Sequence, residues 1–320
     1  MKSCVTFAVI LVASCLPLAL GVEVKEKELP EPIGWGYVRD GPVEIQKKPS
    51  ERKPGLARLA RGTLVSMFKT KSKAGTTWTR VRVVDVATLT PQTGWVDSGK
   101  IEVLPADQFP SDAYLLKRLG GAYLEDFTAS HTEVARFVVR HGDENLLLCF
   151  LGSPILPQAR LQVFRRAQGK YVPGPFLEFA FSEMQSGITS LEVRDLVGDE
   201  NECVITHEPF NAGPENRGTR MMIRRIEGDT LKTLWEAPLA YRNLASFPPR
   251  LQVLEPRVNN IGSPGTVTTA TVDFRPRGRV SEPVWKGKID FYAVGREEPT
   301  ESVSVEKGCP WNGSQFTRLR

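Results

Sequence analysis

The stretch 188–207 constrains the fold more than any other part of the chain, because it has the pattern of strand, acidic turn and strand. An earlier stretch, 123–139, has the same layout. In both, an aspartate precedes a glutamate by seven positions: Asp126 and Glu133 in the first, Asp195 and Glu202 in the second. This near-repeat predicts that the chain after residue 112 is built from antiparallel strand units, with one short helix at 112–120 as connector.

Strand patterns follow one another from residue 122 onward, in units at 133–181 and 191–235 and a weaker third unit at 251–292. Repeats of about four strands are typical of propeller blades. A closed propeller typically needs about four or more blades, so facing sheets in a sandwich remain the alternative. We therefore predict a mainly-β protein with an antiparallel β-rich domain at 112–296, propeller-like or a sandwich, followed by a polar tail at 297–320.

The first 21 residues have the pattern of a secretory signal peptide, with Lys2, an apolar run at 5–12 and small residues after it. The run is shorter than the ~20 residues of a membrane span. Cleavage after Gly21 would release a soluble protein with a charged linker at 22–35. Alternatively, Val-Ala-Ser-Cys ending at Cys15 resembles a bacterial lipobox, which would make Cys15 the lipidated amino terminus. Both alternatives predict export, to a periplasmic or extracellular location.

Four motifs stand out between residues 36 and 104. They are Val38-Arg39, Gly62-Thr63, Trp78-Thr79-Arg80-Val81 and Thr93-Gly94-Trp95-Val96. In order and spacing they resemble the bacterial SH3-like (SH3b) domain. The resemblance implies a small β-barrel, in a family whose members often bind peptidoglycan peptides or protein partners in the cell envelope.

The resemblance also suggests an aromatic groove for a peptide, glycan or envelope protein, with Tyr37, Trp78 and Trp95 as its candidates. The alternative is that the tryptophans pack in the core or at the rim of the barrel. The net charge of +5 is spread along the chain. Nucleic-acid binding is not expected, because it needs a concentrated basic face with interleaved aromatic residues.

The second β unit resembles the FG-GAP/VCBS type of propeller repeat, on Asp195, Asp199, Glu202 and Leu234-Trp235. The acidic turn binds calcium in better-preserved members of that family. Here Val197 and Glu200 replace a carboxylate and a glycine of the pattern, and calcium needs about six to eight oxygen ligands. We expect a polar turn and no cofactor, with calcium at Asp195, Asp199 and Glu202 as the alternative.

Catalytic motifs are lacking in the sequence. The three histidines match no zinc motif, and no Gly-x-Ser-x-Gly or phosphate-binding loop occurs. Cys149 and Cys203 lie in apolar strand patterns, either as a disulfide or as buried free thiols. The sequence thus predicts an exported, non-catalytic binding or scaffolding protein. The alternative is a cell-wall or polysaccharide hydrolase that uses the SH3-like part for targeting.

Overall fold

The structure, a computed structural model, describes most of the chain after its first 30 residues. The described ranges are 31–49, 55–105, 133–152, 158–180, 187–211, 216–243, 265–292 and 298–319. The predicted signal peptide with Cys15, the predicted helix at 112–120 and the first acidic turn lie outside these ranges. From Pro32 onward the chain forms one compact unit.

In its described residues, the N-terminal module (34–104) has seven strands and one 3-10 turn. They are Gly34–Val38 (β1), Val43–Ile45 (β2), Ala57–Leu59 (β3), Leu64–Lys73 (β4), Thr76–Val84 (β5), Pro91–Asp97 (β6), the 3-10 turn Ser98–Lys100, and Ile101–Leu104 (β7). Five form an antiparallel sheet in the order β6-β5-β4-β1-β7, and β2 pairs with β3. Both sheets bury aliphatic side chains in one core, which includes Val38, Ile45, Val81 and Val96. Because successive side chains of a strand alternate between faces, the opposite face of this sheet remains available for other contacts.

The central sheet is buried on both faces along much of its area. Its strands pair in sequence and are Glu133–His141 (β8), Glu144–Gly152 (β9), Gln158–Ala167 (β10) and Lys170–Ala180 (β11). In β9, Leu148 and Phe150 face one core, whereas Leu147 and Cys149 face another. The uninterrupted apolar run in this strand follows from its position, because neither face of the strand meets water.

Among the described residues, the outer sheet has seven antiparallel strands in chain order. They are Ser190–Arg194 (β12), Cys203–Asn211 (β13), Asn216–Glu227 (β14), Thr230–Asn243 (β15), Gly265–Arg277 (β16), Val280–Tyr292 (β17) and Glu301–Gly308 (β18). The sheet curls until the Ser281 amide donates a 2.7 Å hydrogen bond to the Leu196 carbonyl. Inside the curl, Trp285 is fully buried and its indole Nε1 donates to the Pro238 carbonyl at 2.7 Å.

The polar tail predicted at 297–320 forms part of this folded sheet and its core. β18 pairs along its length with β17, although none of its side chains is buried. Beyond it, Cys309, Phe316 and Leu319 are buried in the same cluster as Trp285. The sequence looks like a tail because β18 is the terminal strand of the sheet, where polar residues protect an edge from pairing with another chain.

The prediction of a mainly-β protein with antiparallel sheets is confirmed. The central and outer sheets pack face to face through a shared core that contains Phe150, Leu161, Leu191 and Val204. Sandwiches and neighbouring propeller blades both pack sheets in this way. Across the described ranges there is no α-helix, and thus no helix that could span a membrane.

The turn formed by Arg61, Gly62 and Thr63, here called the junction turn, joins the N-terminal module to the other two sheets. The Val138 amide of β8 donates to the Gly62 carbonyl at 2.8 Å, and the Val193 amide of β12 donates to the Arg61 carbonyl at 3.2 Å. β8 and β12 are the terminal strands of their sheets. The junction turn therefore occupies two strand edges whose backbone groups would otherwise need water or another chain.

Only glycine fits at the centre of this turn. Gly62 has a φ of +84°, and a Cβ added there would lie 2.8 Å from the Val193 Cβ and 3.0 Å from the Val138 carbonyl oxygen. A side chain would thus meet both a strained backbone conformation and two packed strands.

We expect Gly62→Ala to lower the free energy of unfolding by about 3 kcal/mol or more, from the combined left-handed strain and overpacking. Gly75→Ala is the matched control, because Gly75 has a φ of +82° and no atom within 4 Å of an added Cβ. The control should lose about 1 kcal/mol, for the backbone conformation alone. Urea unfolding measures both; equal losses would mean that the contact with β8 and β12 is not tight.

Candidate ligand-binding face

One face of the five-stranded sheet carries a half-buried tryptophan beside basic side chains. The strand register aligns Lys69 of β4 with Arg80 of β5, and Arg80 with Trp95 of β6. The Lys69 Nζ lies 5.6 Å from the centroid of the Trp95 ring, within the range of a cation–π interaction. We call Lys69, Arg80 and Trp95 the Trp95 face.

The backbone of Trp95 is held in place by its neighbours. The Trp95 amide donates to the Gln46 carbonyl and the Gln46 amide donates to the Trp95 carbonyl, both at 2.8 Å. Gly94 permits this approach, because a Cβ there would lie 2.2 Å from the Ile45 Cγ2. Val96 points into the core of the module, so alternation turns Trp95 to the opposite face. A side chain on such a rigid strand loses little conformational freedom on binding.

Trp78 lies on the same sheet but contributes to packing. It is 4% exposed, and its backbone is paired with Lys71 on one side and Asp97 on the other. Because Trp95 is two residues from Asp97 along β6, the two tryptophans are diagonal neighbours on one face. Only Trp95 has surface to offer a ligand.

Tyr37 belongs to a different contact. It lies on β1, three strand spacings from Trp95 in the sheet, or about 14 Å. With Trp35, it packs against the cluster that includes Leu147 and Phe164 of the central sheet. Burial raises the pKa of the Tyr37 phenol, and so does its hydrogen bond to the Glu102 carboxylate. The structure thus brings Trp78 and Trp95 together but separates Tyr37 from them.

Lys69 and Arg80 are members of the candidate face that the motif comparison missed. Lys69 is the first of three exposed lysines at alternating positions in β4, and Arg80 occupies a half-buried position in β5. Alternation of that kind signals an outward face. The signal was insufficient because sequence does not supply the register that sets Lys69 beside Trp95.

Two of the three acidic residues named as calcium candidates accept hydrogen bonds from other protein groups. Asp195 Oδ1 accepts hydrogen bonds from the amides of Val197 and Gly198, at 3.1 Å and 2.7 Å. Asp199 Oδ2 accepts from Arg225 Nη1 at 2.9 Å. Within the described ranges, no group of three or more His, Cys, Asp or Glu side chains could hold a metal ion.

Glu202, the third candidate, connects the acidic turn to the junction turn. Its carboxylate accepts from Arg61 Nη2 at 2.7 Å and from the Arg140 amide at 2.8 Å. The Glu202 amide in turn donates to the Arg140 carbonyl at 2.9 Å. The side chain is 9% exposed, so these charge-assisted bonds lie in a partly desolvated place where they are strong.

The cysteines named as a disulfide candidate are free thiols in the structure. Cys149 lies in the cluster between the N-terminal module and the central sheet, whereas Cys203 lies inside the curl of the outer sheet with Cys309. Burial raises the pKa of Cys149 and of Cys203 to about 12 in each case. The two side chains belong to separate cores, so of the two alternatives the structure has the buried free thiols.

Comparison with known proteins gives no relative: no family model, no curated protein and no solved structure matches this chain.

We expect Glu202→Gln to lower the free energy of unfolding by about 1–3 kcal/mol. The neutral amide lacks the negative charge that strengthens the hydrogen bonds donated by Arg61 and by the Arg140 amide. Asp199→Asn is the control. It removes an ion pair whose carboxylate is 41% exposed, and such pairs contribute about 0–1 kcal/mol.

Urea unfolding with and without calcium distinguishes a structural polar turn from a calcium site. If calcium stabilises the wild type and Asp199→Asn abolishes that effect, the turn is a calcium site.

The thiols provide a second test. In the native protein we expect Cys149 and Cys203 to react very slowly with iodoacetamide at neutral pH, because the reactive thiolate is scarce at these raised pKa values. After unfolding without reductant, both should label fully, as located by peptide mapping. Labelling of Cys309 alone under those conditions would instead establish a disulfide between Cys149 and Cys203.

Proposed function

We propose that this chain is an exported, non-catalytic protein of the bacterial cell envelope that binds or scaffolds a cell-wall, glycan or protein partner. The Trp95 face is the observation that carries the proposal. Its aromatic ring and cations are held on a rigid sheet, and they lie on a module whose motifs resemble SH3b domains. The signal-like first 21 residues support export, with release at Gly21 or lipidation at Cys15 as the two routes.

The chemistry of the Trp95 face favours an anionic partner. Lys69 and Arg80 offer ammonium and guanidinium groups, and a half-buried indole offers a flat apolar surface. Sugar rings and peptide side chains can lie on such a surface, while carboxylates of a peptidoglycan peptide or an acidic glycan would pair with the cations. We therefore place cell-wall fragments with carboxylates first among the partners.

A hydrolase is the alternative, with the acidic turn as its catalytic candidate. Asp195, Asp199 and Glu202 each accept hydrogen bonds from neighbouring protein groups. A carboxylate that serves as general acid or nucleophile needs a face open to substrate. Asp195 and Glu202 are held by protein donors, and the exposed Asp199 carboxylate is paired with Arg225, so these contacts favour the binding function over the hydrolase.

Retention on purified, insoluble cell wall tests the proposal. Trp95→Ala should weaken binding roughly thirtyfold, the effect of removing a central aromatic anchor. Lys69→Ala should weaken it about two- to fivefold, as expected for an exposed cation–π partner. Raising the salt concentration should weaken wild-type binding, because exposed charges are screened.

Lys170→Ala serves as the matched control, since Lys170 is an exposed lysine at the start of β11 in a different sheet. Binding that falls equally in Lys69→Ala and Lys170→Ala would indicate nonspecific charge attraction and contradict the proposal. Release of soluble wall fragments by the wild type, lost in an Asp195→Ala variant that still folds, would establish the hydrolase instead.

A further inference from the structure

A second feature lies where the N-terminal module meets the other two sheets. A pocket of about 130 Å³ opens there, between β3 and the end of β5 on one side and β8 and β12 on the other. Its floor is apolar and buried, and includes Leu59, Phe137 and Leu191. The Trp95 face contributes nothing to this pocket, so the two features are independent.

The wall of the pocket carries hydrogen-bond acceptors. The Gln92 Oε1 is buried and accepts no hydrogen bond from any residue in the described ranges. Asp85 uses Oδ1 to accept from the amides of Ala87 and Thr88, at 3.1 Å and 2.8 Å. The Thr88 hydroxyl also donates to Oδ1, at 2.9 Å, so these contacts all fall on one oxygen of the carboxylate. A buried carbonyl oxygen without a donor is destabilising, and a ligand with N–H groups would supply the missing hydrogen bond.

The rim of the pocket carries a positive charge, opposite to that of Asp85. Arg58 lines the pocket, is exposed, and forms no ion pair within the described part of the chain. A ligand that fits must therefore offer a cation to Asp85 and Gln92 and an anion to Arg58. It must also present an apolar group to the floor, because a polar group buried there would lose its hydrogen bonds to water.

The volume of the pocket limits the ligands that fit. The pocket volume of about 130 Å³ is well below the ~300–1,000 Å³ of sites for drug-sized ligands, so the ligand must be small. We propose that this pocket binds one small aliphatic α-amino acid. Its ammonium group donates to Gln92 and Asp85, its carboxylate pairs with Arg58, and its side chain lies on Leu59, Phe137 and Leu191.

Titration of the full-length chain with valine, followed by amide chemical shifts in NMR, tests this proposal. Isobutylamine and isovalerate are the matched probes, since each keeps the branched side chain and one of the two charged groups. Valine should give saturable shifts at the residues that line the pocket, with a dissociation constant roughly tenfold below that of either probe. Equal affinity for valine and isovalerate would overturn the role of Asp85 and Gln92.

Three variants assign the contacts. Gln92→Leu and Asp85→Asn should each weaken valine binding roughly tenfold, and Asp85→Asn keeps an oxygen that can accept from the Ala87 and Thr88 amides. Arg58→Gln, at an exposed position, should weaken binding of valine and isovalerate but leave isobutylamine unchanged. Asp97→Asn is the control, because Asp97 accepts from the Gly99 amide in another turn of the same module.

The outcomes separate this site from the proposed cell-wall function. Trp95→Ala should leave valine binding unchanged even where it abolishes wall retention. If valine gives no saturable shifts at the pocket, if Asp85→Asn and Gln92→Leu bind it as the wild type does, or if the shifts centre on Trp95, the proposal is wrong.

Discussion

The packing of the junction turn, with Gly62 at its centre, between β8 and β12 is the contact on which the arrangement of the three sheets depends. Through it, a turn of the N-terminal module supplies backbone acceptors to the terminal strands of two different sheets. The Arg61 side chain reinforces the same place by pairing with Glu202, whose carboxylate also holds the Arg140 amide. Hydrogen bonds at this one place therefore connect all three sheets.

The central sheet extends this local contact, because it packs against both of the other sheets. One of its faces packs on the outer sheet and the other on the N-terminal module. Where both of its faces are buried, the central sheet has no surface for a ligand, so the two candidate binding places lie outside that area. The Trp95 face is exposed on the N-terminal module. The pocket beside Gln92 lies where that module meets β8 and β12. Both are built on strands whose positions are fixed by packing, which favours precise recognition at small entropic cost.

The candidate site was partly predictable. Trp95 was named as a candidate from its motif, because the Gly-Trp-Val pattern is local in sequence, but the motif did not decide between a ligand-binding role and packing. Tyr37 and Trp78 were aromatic candidates from the same resemblance, but contacts from outside their strands decided their roles. Tyr37 lies against the central sheet, and Trp78 is covered although its strand alternates as that of Trp95 does. The acidic turn was also recognisable, yet its carboxylates found protein partners that lie far away in the sequence, such as Arg61 and Arg225.

The sequence by itself determined the mainly-β class and the positions of most strands, because alternation and turn residues act over a few neighbouring positions. Only the tertiary structure decided that the polar C-terminal segment adds a strand to the outer sheet, that Cys149 and Cys203 lie in separate cores, and that Arg58, Asp85 and Gln92 line one pocket. These features depend on strand register and on which sheet faces which. Those choices are settled by the burial of whole faces, a property that no short stretch of sequence contains.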